Sequence, residues 1–352
     1  MTALAQILQA RIAATGPMTL ADYMAECLLH PRHGYYTTRD PFGAKGDFTT
    51  APEISQMFGE LLGLCLAQSW LDQGAPSPFT LAELGPGRGT LMADILRATR
   101  AVPSFHAALR LWLVEASPTL RARQAQTLSA HAPHWADQAS DLPQGPLFLV
   151  ANEFFDALPI RQFQRGATGW RERMVGLAEG RLSFGLGPEA AVPALSSRLA
   201  DTQPGQIVEL CPAAPAILSE IASRVTQGGL VLILDYGDWR SLGDTFQALK
   251  SNAHTDPFQA PGEADLTAHV DFQALALSAP ALAHRYTTQG ALLTALGIAA
   301  RSARLAQNLS GPALQSHLAA TRRLTDAAEM GFLFKALALF PRAAPPPPGF
   351  AP

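Results

Sequence analysis

Two periods alternate along the chain. Short apolar runs bounded by Gly and Pro recur at Phe79 to Leu84, Leu109 to Val114, Pro146 to Val150, 230–237 (LVLILDYG) and Phe332 to Phe340, and each predicts a buried strand. Helical spacing fills the gaps: residues 4–14, Thr19 to about His30, the segment SQMFGELLGLCLAQSWLDQG, the stretch from Leu91, PTLRARQAQTLSA, and Pro212 to Val225. Two more helices start from Thr288 and Pro312. Thr19 and Ser55 are placed to cap their helices, and Met57, Leu61, Leu64 and Leu66 are assigned to the buried side of the second. Strands alternating with helices predict an α/β fold, a doubly wound, mostly parallel, Rossmann-like sheet.

Three segments break the rhythm. Residues 30–55 form a long loop with the aromatics Tyr35, Tyr36, Phe42 and Phe48, which predict packing against something, hence a functional lid. Its polar candidates are Lys45, Asp47, Thr49, Thr50 and Glu53. Residues 159–204 read as a small β insertion, short strands joined by Gly turns, with Glu172 and its neighbouring arginines on a solvated face. The tail PRAAPPPPGFAP reads as extended and disordered. The expected organisation is N-terminal helices and lid over 1–54, a catalytic domain over 55–340 and the tail over 341–352.

Composition narrows the function. With 352 residues, 48% hydrophobic and 16% charged, the chain can bury a sizeable core. A net charge of −3 gives no basic excess for nucleic acid. No apolar run reaches the about 18 residues that suggest a membrane span. The N-terminus lacks the pattern of a signal peptide. Three scattered cysteines, Cys27, Cys65 and Cys211, show no metal spacing or disulfide framework, which points to a reducing, cytoplasmic compartment, bacterial by the Ala-, Arg- and Pro-rich composition. His254, Asp256, Asp265, Thr267, His269 and Asp271 cluster in sequence, but no short ligand spacing supports a metal.

Candidate chemistry starts after the first strand. Gly85, Gly87 and Gly89 alternate with Pro86 and Arg88 between a strand and a helix, where backbone N–H groups can face a ligand. Such a turn fits a nucleoside-type cofactor or a plain structural turn. The spacing G-x-G-x-G, with Glu83 two residues ahead, differs from the dinucleotide fingerprint G-x-G-x-x-G and suits S-adenosylmethionine better. Glu115 ends the next strand at about the ~20-residue spacing of an acid that takes ribose hydroxyls. The third strand ends in ANEFFDALP, placing Asn152, Glu153 and Asp156 where parallel sheets hold ligands; the alternative is a turn residue followed by solvated acids.

The segments GYYTTRDPFGAKGDFTTAPEISQMFGE, ELGPGRGTLMADILR, ANEFFDALPIRQF, ILDYG, PGEADLTAHVDF and MGFLFK resemble the mitochondrial dysfunction protein A family of class I S-adenosylmethionine-dependent methyltransferases. The resemblance runs from about Pro17 to Leu339. It implies a cofactor site of Glu83, Gly85, Pro86, Gly87, Gly89 and Glu115, closed over by Gly46, Asp47, Phe48, Thr49 and Thr50, with Asn152, Glu153 and Asp156 facing the acceptor. Mitochondrial members are complex I assembly factors that dimethylate an arginine on a core hydrophilic subunit. The implied function is protein-arginine methylation during complex I assembly. A small-molecule methyltransferase and a cofactor-binding assembly chaperone are the alternatives.

Overall fold

A computed structural model describes residues 2–38, 50–251 and 253–350. The apolar runs form the strands β1 (Phe79–Leu84), β2 (Leu109–Val114), β3 (His134–Ala136), β4 (Leu147–Asn152), β5 (Gly229–Asp238), β6 (Leu282–Thr288) and β7 (Phe334–Pro341). They lie side by side in the order β6-β7-β5-β4-β1-β2-β3, and the short strand Val270–Asp271 pairs with the end of β5. β3 through β5 are parallel, and β7 runs antiparallel to β5 and β6. The predicted doubly wound sheet is present.

Its strands are apolar on both faces because both faces are covered. Leu81, Phe148 and Val150 point to one side, where α3 (Gln56–Asp72) and α4 (Thr90–Ala98) pack. Ala82, Leu149 and Ile233 point to the other, beneath α6 (Ala214–Val225). α3 and α4 approach closely: a Cβ on Gly63 would meet the Ile95 Cα at 2.9 Å. The apolar surface of α3 is therefore broad, but Leu64, read as buried, is 47% exposed.

The N-terminal helices α1 (Ala3–Thr15) and α2 (Leu20–Leu29) stand outside this sheet, with Thr19 capping α2 through the Asp22 N–H. Leu4, Leu8, Tyr23 and Met24 pack with Val175 and Leu266. Val175 belongs to an antiparallel sheet of Arg161–Arg165, Trp170–Ala178, Arg181–Ala190 and Ile207–Leu210, joined by Met18–Thr19. The insertion thus extends past residue 204, since Ile207–Leu210 pairs with its first strand. Its polar face is more ordered than expected: Arg161 grips Glu172 with two hydrogen bonds of 2.7 and 2.6 Å. The polar 245–271 region, read without strands, holds a small sheet of Gln247–Lys250, Ala253–Thr255 and Asp265–Thr267.

The tail corrects the sequence reading most. Phe350 is 5% exposed, and the Cys65 thiol donates to the Pro348 carbonyl at 3.3 Å. Proline removes hydrogen-bond donors but not apolar surface, and here that surface covers α3.

Candidate active site

The chain reverses its direction of winding between β1 and β4, and ligands of such sheets bind in the crevice outside that point. Register sets the crevice floor. Leu84, Ala151 and Ile233 lie in one row, so the residues after them emerge together. A cleft opens there, lined by Glu83, Gly85, Pro86 and Gly87 from the end of β1 and its turn, and by Asn152, Glu153 and Asp156 from the end of β4. Thr50, Glu53, Arg88, Tyr36, Tyr236 and Asp265 are among the other residues of its walls.

The glycine turn needs its glycines. Gly85, Gly87 and Gly89 have φ of 59°, 51° and 82°, and a Cβ on Gly85 would meet the Phe154 ring at 3.0 Å. Gly89 sets the start of α4 rather than lining the cleft. Glu83 is 3% exposed, and its Oε2 has no hydrogen-bond partner among the described residues. Burial, aided by the charge of Glu115, pushes Glu83 up to about 8, although the Met92 N–H favours its ionised form.

Glu115 lies at the tip of β2 and is absent from the cleft wall among the described residues. Its Oε1 accepts from the Ser117 N–H at 2.8 Å and its Oε2 from Gln124 at 3.2 Å. Burial raises its pKa against these donors. Gln124, on α5 (Pro118–Thr127), escaped the sequence reading. Fully buried, it also donates to the Gly87 carbonyl at 2.8 Å and accepts from the Trp135 indole at 2.9 Å. Nothing marks it in the sequence except its place two turns past the Ser117 cap.

The end of the cleft at β4 is acidic. Glu153 has φ 51°, a left-handed conformation unusual for a side-chain-bearing residue and costing roughly 1–2 kcal/mol. Its Oε1 accepts from Ala51 N at 3.3 Å and Asn152 Nδ2 at 3.1 Å. Ala51 opens the short helix Ala51–Ile54, whose Glu53 accepts from Thr90 at 2.7 Å, so this end of the expected lid is tied to both turns. Thr50 precedes that helix and faces the cleft. Gly46, Asp47, Phe48 and Thr49 lie outside the described residues.

Burial, then the charge of Asp156, pushes Glu153 up to about 8. Asp156 itself is pushed up to about 6 by burial, while the Tyr236 hydroxyl opposes the shift. Its Oδ1 has no partner among the described residues, nor has Asn152 Oδ1. Behind them Asp235, fully buried, accepts from the N–H groups of Phe155 at 3.0 Å and Asp156 at 3.2 Å and so fixes the loop. Sequence reasoning placed Asp235 and Tyr236 at a strand tip but gave them no task.

The profile of the family described as "Putative S-adenosyl-L-methionine-dependent methyltransferase" matches residues 61–290. The chain belongs to this family. A *Xenopus tropicalis* protein named protein arginine methyltransferase NDUFAF7, mitochondrial, is 36% identical over 97% of this chain and 87% of its own length. The *Drosophila melanogaster* homologue of that name is 37% identical over 96% and 85%. Among solved structures, a COG1565 superfamily member from *Burkholderia thailandensis*, bound to S-adenosyl-homocysteine, superposes with a TM-score of 0.84 at 30% identity over 99% of this chain and 94% of that one. The family's methyl donor is S-adenosylmethionine, and the glycine turn with an unpartnered buried acid beside it fits a ligand bearing an amino group and hydroxyls. Among the described residues no helix is long and apolar enough to cross a membrane. The named relatives are mitochondrial, so they lend no support to a cytoplasmic location.

Proposed function

We propose that the protein methylates an arginine of a protein substrate, a core hydrophilic subunit of respiratory complex I during its assembly. The observation that carries this reading is the convergence of Glu153 and Asp156 beside the glycine turn, with no ion pair to either among the described residues. A site built of buried acids suits a cation. The relatives' name, protein arginine methyltransferase, supports the same choice.

Glu83, Gly85, Pro86 and Gly87 would hold the cofactor, Gly89 would start the helix behind it, and Glu115 would take its ribose hydroxyls. When bound, S-adenosylmethionine supplies an electrophilic methyl on a sulfonium. The chain's own residues answer a different difficulty: a guanidinium is always charged and a poor nucleophile. Glu153 and Asp156 would grip its fork and draw positive charge away from the attacking nitrogen. Asn152 orients Glu153. Glu153 Oε2, the oxygen that Ala51 and Asn152 leave unengaged, would take the proton that this nitrogen sheds. Phe154 and Phe155, packed edge to face at 5.3 Å, help exclude water from the slot.

In the same reading residues 1–54 are a lid-bearing extension of the catalytic domain 55–340, and the protein works in a bacterial cytoplasm. The free thiols Cys27, Cys65 and Cys211 support this location. Mass spectrometry of complex I hydrophilic subunits from cells with and without the gene tests the function. A methylated arginine that disappears with the gene is expected; identical methylation in both contradicts the proposal.

A further inference from the structure

One wall of the acceptor slot comes from outside the methyltransferase sheet. Alternation along Asp265–Thr267 sends Leu266 under α2 and turns Asp265 and Thr267 the other way. Asp265, 3% exposed, reaches the cleft, and Thr267 reaches the Tyr236 hydroxyl. The strand's exit is pinned to the acceptor loop, since the Ala268 N–H donates to the Asp156 carbonyl at 3.0 Å. Asp265 Oδ1 accepts from the Tyr36 hydroxyl at 2.7 Å. Tyr36 sits on the short helix Tyr35–Thr38 of the N-terminal segment. Three carboxyl groups, of Glu153, Asp156 and Asp265, therefore border one space, and Asp156 Oδ1, buried and without a partner among the described residues, lies in the same wall.

Three buried acids repel one another, and the charge of Asp265 is felt at Glu153. An ammonium is a point charge with three donors, whereas a guanidinium carries five in a plane and can address several carboxylates at once. Building on the arginine reading above, we infer that Asp265 is a third acceptor-binding carboxylate, held in orientation by Tyr36, and that it fixes the guanidinium plane and so selects arginine over lysine. Tyr36 is then a positioning residue acting through Asp265, and the acceptor slot is incomplete without the N-terminal segment.

The test uses the full chain loaded with S-adenosyl-homocysteine, and the blocked amino acids Nα-acetyl-arginine methylamide, its lysine counterpart and its uncharged citrulline counterpart, with affinities from ligand-observed NMR. The wild type is expected to prefer the arginine probe to both others by about tenfold or more, the worth of one charge-assisted hydrogen bond. Asp265→Asn lowers affinity for the arginine probe by about tenfold and erases the preference over lysine, with S-adenosyl-homocysteine affinity unchanged. Asp265→Glu restores part of it, and Tyr36→Phe loses about threefold, again at constant cofactor affinity. Wild-type binding by both Asp265→Asn and Tyr36→Phe overturns the inference and leaves the arginine reading intact. A wild type that does not distinguish arginine from citrulline overturns the arginine reading and the inference with it. If Asp265→Asn loses cofactor binding as well, Tyr36→Phe decides alone, and an unchanged arginine affinity there overturns the inference.

Discussion

Gln124 Nε2 lies 2.8 Å from the carbonyl oxygen of Gly87, a hydrogen bond that ties the glycine turn to the neighbouring helix. The same nitrogen lies 3.2 Å from Glu115 Oε2, so a single buried amide sets the turn and the strand-end acid relative to each other. Gln124→Ala leaves three polar groups short of a partner, the buried Gly87 carbonyl and the half-buried Glu115 and Trp135. It is expected to cost about 1–3 kcal/mol of stability and to weaken S-adenosylmethionine binding about tenfold or more. Urea denaturation and calorimetric titration measure the two. Unchanged cofactor affinity contradicts the role given to Gln124.

Acceptor binding should depend on pH in one direction. Ionised carboxylates are required for a cation, and Asp156 is held up to about 6 and Glu153 up to about 8. The acceptor KM is expected to fall as pH rises from 6 to 8, with protons released on binding below pH 8. A KM that is flat or rises across this interval counts against the assignment.

Stability should move the opposite way. Glu83 keeps its proton up to about 8 in the folded chain against the ordinary 4.5. The folded state thus binds more protons than the unfolded state between these values, and stability is lost as pH rises through them. Glu83→Gln removes this titration. Its Tm is expected to fall less than that of the wild type between pH 6 and 9, as differential scanning calorimetry can show; parallel curves argue against a buried neutral Glu83.

The tail should behave as part of the core. Phe350→Ala is expected to cost about 3 kcal/mol, the usual loss for a buried phenyl ring. Ending the chain after Arg342 should also uncover Cys65, whose thiol burial pushes up to about 12, and speed its alkylation by iodoacetamide. Wild-type stability and an unreactive Cys65 in both variants would mean that the tail contributes nothing.

Local signals were the legible ones. β2 was read with its bounds intact, and the Thr19 cap was visible because capping uses residues three apart. The sheet followed from apolar runs, and Asn152, Glu153 and Asp156, read at a strand end, do line the cleft. Pairings made across the chain were not legible. Tyr36 and Asp265 meet across 229 residues, and neither neighbourhood announces the other. Gln124 looked like any polar helix residue. Leu64 was assigned to the core from periodicity, yet it is the exposed position of an otherwise buried stretch of α3. The tail misled because proline richness reads as extension, while Phe350 and the apolar proline rings found a surface to cover.

Glu153 carries the central claim, and one paired measurement on Glu153→Gln tests it. Calorimetry gives the affinity for S-adenosylmethionine, and a tritiated-methyl assay on isolated complex I hydrophilic subunits gives transfer. The expected result is cofactor affinity within about threefold of wild type, since the substitution is isosteric and lies at the acceptor end, with transfer reduced about 100-fold or more. Transfer at the wild-type rate, with the cofactor bound normally, would contradict the account.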